Sequence, residues 1–256
     1  MGRGSEILES RRAEVCGRLM HYRASVNSPN DEGFPVVLVH GLGVSGRYMI
    51  PTALRLAPHR QIYAPDLPGF GRSQGRGRAL NITELAEALF GWMEEVGIPR
   101  AVLLGNSIGC QVVIDLTLRR PSAVERIVLV SPTVDAGART VFRSFSRLLL
   151  DVPRERLSLT FIALLDYLQA GLGRTAHTFG YALQDRVEEK LSSVTHPALV
   201  VRGGRDPIVS ERWAAQVSGL LPAGRLAVVK DAAHAVNHNS PDALAGIVLN
   251  FLNDWN

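Results

Sequence analysis

Residues 101–114 read AVLLGNSIGCQVVI, and this stretch decides the fold. An apolar run ends at Gly105, a Gly-x-Ser-x-Gly pattern surrounds Ser107, and apolar residues at helical spacing follow. This order predicts a strand, a tight turn that carries the serine, and then a helix. Glycine is needed at Gly105 and Gly109 because side chains there would collide with the neighbouring strand or helix. The stretch therefore predicts a serine that stands clear of the sheet, with the amide of Ile108 beside it.

The five-residue pattern alone does not establish a reactive serine. It is short enough to arise by chance, so a glycine-rich turn with an inert serine is the alternative. Two kinds of context decide between them. One is the order of strands and helices around the turn, and the other is a set of polar partners that could activate a hydroxyl.

The composition is that of an ordinary soluble globular protein. Of 256 residues, 46% are hydrophobic and 20% are charged, so the chain can bury a full core. Lys and Arg number 28 against 24 Asp and Glu, without a long basic block. This predicts a mildly basic surface and no specific nucleic-acid partner, and it leaves the oligomeric state open. The two cysteines, Cys16 and Cys110, make no disulfide framework. Without an apolar signal region or membrane span, we expect a cytoplasmic protein.

Apolar runs and helix signals alternate along most of the chain. Residues 1–10 are predicted to be a flexible or weakly helical lead-in, and residues 15–26 a hairpin. The repeated strand–helix units that follow favour an α/β fold with a mainly parallel sheet. Strands are predicted at 35–39, 61–65, 101–105, 127–130, 198–201 and 225–230, and helices at 51–56, 81–96, 211–220 and 242–255.

The alternation stops in one block, residues 133–193, where the sequence shows helical stretches and no strand. Helices are predicted there at 138–150, 155–170 and 175–191, and the block is rich in Leu and Phe. A helical insertion that covers one end of the sheet fits this pattern. We therefore divide the chain into a core of residues 1–132 and 194–256 and a helical cap of residues 133–193.

Polar residues at strand ends are the candidates for chemistry, because ligands of a parallel sheet gather at the carboxyl ends of its strands. A serine nucleophile needs a base within hydrogen-bond reach and a third group that orients the base. Asp206 follows one late strand, and His234 follows the last. The polar residues at strand ends are His40, Asp66, Ser107, Ser131, Asp206 and His234.

Several motifs resemble those of the α/β-hydrolase family. HGLG at 40–43 is similar to its oxyanion loop, and DLPGFGRS at 66–73 to its DLPGFGxS loop. GGRDPIV at 203–209 is similar to its acid loop, and His234 with Pro241 to its histidine turn. The chain order Ser, Asp, His is also that of the family. The resemblance covers nearly all of residues 35–256. It implies a mostly parallel, eight-stranded sheet flanked by helices, with a helical cap inserted after the sixth strand.

The resemblance also implies a catalytic site. His234 would remove the proton of Ser107 as the hydroxyl attacks an acyl carbonyl, and Asp206 would orient and stabilise the imidazole. The amides of Leu42 and Ile108 would form the oxyanion hole. Water would then hydrolyse the acyl-enzyme, and the reaction would need no metal and no cofactor.

Four other residues could take a role in the site. His238, one helical turn beyond His234, is an alternative base. Asp135 is an alternative acid, because some members of the family place the acid after the preceding strand. His40 is expected to be structural or a pocket wall, and Asp66 a turn former.

Two other classes of protein also fit parts of the sequence. GLGVSG at 41–46 matches the G-x-G-x-x-G dinucleotide fingerprint, and Asp66 follows the next strand, which would indicate a nicotinamide-dependent oxidoreductase. That interpretation leaves Ser107, Asp206 and His234 unexplained. A non-catalytic small-ligand receptor on the same fold is the other possibility, since such receptors can keep the triad.

Within the family, serine at position 107 excludes the haloalkane dehalogenases and epoxide hydrolases, which use aspartate. The Gly-Asn-Ser start is similar to carbon–carbon bond hydrolases of ring-cleavage products. Those enzymes usually have a more glycine-rich oxyanion loop, and Trp where this chain has Ala235. We therefore expect a serine esterase for small to medium hydrophobic substrates, with carbon–carbon bond hydrolysis as the alternative.

Overall fold

The computed structural model of the protein describes residues 7–26, 33–135, 139, 147, 150–155 and 157–254. The strands of the described part are β1 Leu8–Val15, β2 Arg18–Ser25, β3 Val36–Val39, β4 Ile62–Pro65, β5 Ala101–Asn106, β6 Val124–Val130, β7 Ala198–Gly203 and β8 Gly224–Val229. Its α-helices are α1 Ile50–Leu56, α2 Ile82–Glu95, α3 Gly109–Arg119, α4 Leu157–Ala170, α5 Leu172–Gln184, α6 Val187–Lys190, α7 Glu211–Leu220, α8 Val236–Asn239 and α9 Pro241–Asn253.

The eight strands form one sheet in the order β1-β2-β4-β3-β5-β6-β7-β8. The pairs β1–β2 and β2–β4 are antiparallel, and every other pair is parallel. The prediction of a mostly parallel, eight-stranded sheet flanked by helices is confirmed. Because the central strands end at the same edge, the residues that follow them can meet there.

Helices cover both faces of the sheet, which explains why the central strands are apolar without alternation. Val37 and Val39 pack on one face with Trp92 of α2 and Val112 of α3. The alternate residues of the same strand, Val36 and Leu38, pack on the other face with residues of α1 and α9, among them Leu56 and Phe251. Successive strand residues therefore supply two separate cores.

The helix predicted at 81–96 shows why local signals sufficed over most of the chain. α2 begins with a capping box: Asn81 Oδ1 accepts from the Glu84 amide at 2.9 Å, and a Glu84 oxygen accepts from the Asn81 amide at 2.9 Å. Gly97 then follows the helix at a φ of +75°, the conformation that ends many helices.

The prediction of a lead-in through residue 10 was wrong. Residues from Leu8 onwards form β1, which pairs with β2 from Leu8–Ser25 to Val15–Arg18. The hairpin turns at Cys16 and Gly17, both at positive φ. β1 carries mostly charged and polar side chains, and most of them are exposed, so it lacks the apolar alternation that marks a half-buried strand.

Between β6 and β7, helices are the only regular secondary structure in the described residues. The helix predicted at 138–150 falls almost wholly outside the described residues, whereas the one predicted at 155–170 is α4. The helix predicted at 175–191 is interrupted, since α5 ends at Gln184 and α6 begins at Val187. Asp185 lies in the break, where its carboxylate accepts a hydrogen bond from Gln111 Nε2 at 3.0 Å. The domain boundaries at 133 and 193 stay a prediction.

None of the helices in the described part is both long enough and apolar enough to span a membrane.

Candidate active site

Ser107 lies on a sharp turn between β5 and α3. Its φ is +56°, a conformation that costs a non-glycine residue roughly 1–2 kcal/mol, and its amide donates to the carbonyl of Val130 at 2.9 Å. A Cβ added to Gly105 would lie 2.6 Å from the carbonyl oxygen of Gly109, and one added to Gly109 would lie 2.5 Å from that of Val39. Strand and helix therefore pass so closely that both positions need glycine, as the sequence predicted.

We expect Gly109→Ala to lower both stability and activity. Its methyl group would meet the carbonyl oxygens of Val39 and His40 at 2.5 Å and 2.7 Å, so backbone would have to move. Overpacking of this kind typically costs about 1–3 kcal/mol. The matched control is Gly180→Ala in α5, where an added Cβ meets nothing within 4 Å and alanine should stabilise the helix by about 1 kcal/mol. Thermal unfolding of both variants measures the difference, and equal melting temperatures would contradict the predicted clash.

The predicted acid and base are in contact. Asp206 follows β7 and His234 follows β8, and His234 Nδ1 lies 2.9 Å from Asp206 Oδ2, with both residues buried. The other carboxylate oxygen, Oδ1, accepts from the amides of Ile208 and Val209 at 2.7 Å and 2.9 Å. These bonds fix the carboxylate, so an Nδ1–H of His234 has a rigid acceptor and Nε2 is the nitrogen left for chemistry.

Each member of this pair favours the charged form of the other. Burial alone would lower the pKa of His234, but the charge and hydrogen bond of Asp206 outweigh it and raise the pKa to about 9. Burial likewise opposes ionisation of Asp206. The imidazole and the two backbone amides outweigh it and lower the pKa of the carboxyl. The arrangement is suited to stabilise an imidazolium.

Ser107 and His234 line one cavity of about 820 Å³. Ser107 Oγ lies 3.4 Å from Thr133 Oγ1 within it. The helices α4 and α5 also line this cavity, and most of the side chains that they contribute are apolar or aromatic. Such a lining suits hydrophobic ligands. The apolar and aromatic side chains include Leu159, Ala163, Leu164, Tyr167, Leu172, Ala176 and Phe179.

The loop of residues 40–47, which we call the β3 loop, lies directly beside the serine. A Cβ on Gly41 would be 3.2 Å from Ser107 Cβ, and Leu42 and Ile108 line the same cavity as the serine. His40 holds the start of this loop: its Nε2 accepts from the Leu67 amide at 2.9 Å, and its Nδ1 lies 2.8 Å from the Gly41 carbonyl. Burial lowers the pKa of His40, in keeping with a neutral, structural imidazole.

Asp66 has a larger structural role than a turn former. Its Oδ1 accepts from the Gly46 amide at 2.7 Å, and its Oδ2 accepts from the Arg72 amide at 2.8 Å and contacts His21 Nδ1 at 2.8 Å. The acid of a dinucleotide site would instead meet a ribose hydroxyl. Asp66 is buried and committed to the protein, which argues against the fingerprint interpretation of residues 41–46.

The two rival residues have other neighbours. Asp135 Oδ2 lies 3.4 Å from Arg147 Nη1 and accepts from Ser210 Oγ at 3.2 Å. The ring of His238 stacks on Tyr48 with centroids 6.1 Å apart, and its Nε2 lies 3.3 Å from Ser158 Oγ.

Two carboxyl groups of the cavity wall were missed by the sequence reasoning. Asp151 Oδ1 lies 3.4 Å from the His234 amide, and Glu155 Oε1 accepts from the Ala235 amide at 2.9 Å. Burial raises the pKa of Asp151 to about 7, with the neighbouring Glu155 adding to the effect. Neither residue belongs to a recognisable motif. The only sign of them in the sequence is that charged residues interrupt the apolar block of residues 133–193.

The chain is similar to known hydrolases in sequence. The model of the "Alpha/beta hydrolase family" matches residues 36–247. The pimeloyl-[acyl-carrier protein] methyl ester esterase of Pectobacterium atrosepticum is 27% identical over 84% of this chain and 93% of its own. Esterase YbfF of Escherichia coli is 25% identical over 92% of this chain and 99% of its own.

Solved structures share the fold. The meta-cleavage product hydrolase CumD of Pseudomonas fluorescens superposes with a TM-score of 0.76 at 23% identity, over 96% of this chain and 98% of that one. The family match spans most of the chain and includes the strands that carry Ser107, Asp206 and His234. The chain is therefore a hydrolase and belongs to the alpha/beta hydrolase family.

Proposed function

We propose that this hydrolase cleaves carboxylic esters through an acyl-enzyme on Ser107, with His234 as the general base and Asp206 as the acid that orients it. The observation that carries the proposal is the 2.9 Å contact between His234 Nδ1 and Asp206 Oδ2 in a site where His234 and Ser107 line one cavity. A serine at positive φ, a histidine and a buried carboxylate in this arrangement are the parts of a nucleophilic triad.

The reaction runs in two halves. Ser107 Oγ attacks the ester carbonyl while its proton passes to His234 Nε2, and Asp206 stabilises the imidazolium. The amides of Leu42 and Ile108 bind the oxyanion, and the alcohol leaves with the proton from His234. Water then attacks the acyl-enzyme with His234 again as the base, which releases the acid and restores Ser107.

The walls of the cavity support small to medium hydrophobic substrates. Leu159, Leu164 and Phe179 face a space of about 820 Å³, which accepts an acyl chain or an apolar alcohol. That two relatives are named as esterases supports ester cleavage among the reactions of the family.

A panel of p-nitrophenyl esters and a fluorophosphonate label test the proposal together. We expect kcat/KM to rise from acetate to mid-length acyl chains, because each buried methylene adds about 0.8 kcal/mol of binding. The fluorophosphonate should attach to the peptide that contains Ser107 and abolish turnover in parallel. Binding of esters without turnover or labelling would instead support a small-ligand receptor.

Carbon–carbon bond hydrolysis is the second candidate, favoured by the sequence Gly105-Asn106-Ser107 at the start of the turn that carries the serine. In the structure Asn106 lines the cavity, and its Oδ1 accepts from the Tyr48 hydroxyl at 3.0 Å. A coloured ring-cleavage product, a dienol with a neighbouring ketone, separates the two candidates. Bleaching of this substrate at a higher kcat/KM than any ester would replace the ester proposal.

The proposed base predicts an alkaline activity profile. His234 accepts a proton only when neutral, and its pKa in the free protein is raised to about 9. The value of kcat/KM should therefore increase as the pH rises from 7 towards 9 and level off above it. Stopped assays with a p-nitrophenyl ester, corrected for spontaneous hydrolysis, measure the profile. A plateau already reached at pH 7 would contradict the raised pKa.

A further inference from the structure

A single carboxylate joins the apolar helix α4 to the β3 loop. Asp166 is 1% exposed and is the one charged residue of α4, Leu157–Ala170. Its Oδ2 accepts from Ser45 Oγ at 2.7 Å, and its Oδ1 accepts from Arg47 Nη2 at 2.5 Å. These partners lie about 120 residues earlier in the chain, on the loop that passes Ser107.

Burial of this carboxylate needs compensation. A buried ionised group is costly unless it is paired and hydrogen-bonded, and breaking such a pair typically removes several kcal/mol. The Ser45 hydroxyl and the Arg47 guanidinium supply that compensation. The conformation of the β3 loop and the position of α4 are therefore linked, because one can move relative to the other only if Asp166 loses its partners.

The next residue of α4, Tyr167, packs closely against the same loop. Gly43 has a φ of +72°, and a Cβ built on it would lie 2.5 Å from the ring of Tyr167, which also lines the cavity. The loop is also held by the core, because Asp66 accepts from the Gly46 amide at 2.7 Å. The β3 loop is thus held by a carboxylate of the core, Asp66, and by two consecutive residues of α4, Asp166 and Tyr167.

We propose that Asp166 is a positioning residue that sets the β3 loop for oxyanion binding, so that the amide of Leu42 is correctly aimed only when α4 is docked. This inference rests on the proposed function, in which Leu42 donates to the oxyanion. Leu42 is three residues from Ser45 and next to Gly43, so a loop released at these contacts changes the direction of its amide. Docking of the helices over the cavity and completion of the oxyanion hole are then one event.

Asp166→Asn tests the proposal with kinetics, since asparagine keeps the size but not the charge that holds Arg47. We expect kcat on a p-nitrophenyl ester to fall about ten- to a hundredfold, because displaced oxyanion donors act in the transition state. KM should change less than about threefold. A trifluoromethyl ketone, which forms a tetrahedral adduct with the serine, should lose affinity by the same factor as kcat/KM.

Ser45→Ala, which removes only one hydrogen bond, should shift the same quantities in the same direction by a smaller factor. Asp115→Asn is the matched control for a buried carboxylate. Asp115 contacts Arg119 Nε at 2.8 Å and Lys190 Nζ at 2.9 Å, and it does not line the cavity. We expect this variant to be less stable but to keep kcat when rates are expressed per titrated active site.

Hydrogen–deuterium exchange separates failure of this inference from failure of the proposed function. In Asp166→Asn the amides of residues 42–47 should exchange faster while those of β5 and α3 do not change, whatever the substrate of the enzyme. Unchanged exchange in the β3 loop, or an unchanged kcat in a folded variant, would overturn the positioning role. Absence of ester turnover in the wild type, together with faster loop exchange in the variant, would contradict only the proposed function.

Discussion

Replacing Ser107 by alanine is expected to lower kcat for short p-nitrophenyl esters by about five to six powers of ten. Loss of the nucleophile of a serine triad has this size of effect, and the remaining turnover comes from the oxyanion donors and from binding. KM should change little, since the hydroxyl contributes more to the transition state than to ground-state binding. Steady-state kinetics on one ester, with active-site titration of the wild type, measure the loss.

The same position offers a control that is independent of catalysis. Because Ser107 has a φ of +56°, Ser107→Gly removes the nucleophile and also relieves the backbone. We expect it to be as inactive as Ser107→Ala but more stable than that variant by about 1 kcal/mol. Activity in both variants within about a hundredfold of the wild type would show that another residue is the nucleophile.

The features that the sequence could predict are those that leave a signal within a short stretch of residues. Gly105 and Gly109 mark the turn at Ser107 in the sequence. A Cβ at either position would lie only 2.6 Å or 2.5 Å from a backbone carbonyl oxygen, so only glycine fits. The first strand escaped prediction because β1 is mostly charged and is held by pairing with β2 rather than by an apolar face. Its evidence lies in the partner strand, which no local pattern reports.

Three carboxyl groups could not be predicted, for a different reason: two lie in the cavity wall, and one is next to the lining residue Tyr167 of α4. Asp151, Glu155 and Asp166 lie in a block of apolar helices. From sequence alone, a single charged residue in such a helix is expected to face the solvent. Each is instead defined by a partner far along the chain, such as the His234 amide for Asp151 or the Ser45 hydroxyl for Asp166. Sequence order could place the strand ends together, but which α4 residue meets which loop is decided by packing.

Asp206→Asn is expected to lower kcat by about four powers of ten. Asparagine can offer its amide to Nδ1, which would place the proton of His234 on Nε2, the nitrogen that must accept the proton of Ser107. The charge that raises the pKa of His234 would also be lost, so the rise of kcat/KM with pH should move to lower pH. The pH dependence of kcat/KM measures both effects in one series.

Asp135→Asn is the matched control, since Asp135 also lines the cavity and is the rival acid. Its carboxylate contacts Arg147 and Ser210, whereas that of Asp206 contacts His234 at 2.9 Å. We therefore expect Asp135→Asn to retain activity within about tenfold. The pH at which kcat/KM rises should also stay the same, because the charge nearest to the imidazolium, that of Asp206, is kept. If Asp135→Asn were the crippling variant and Asp206→Asn the mild one, Asp135 would be the acid, and Asp206 would only shape the turn through the Ile208 and Val209 amides.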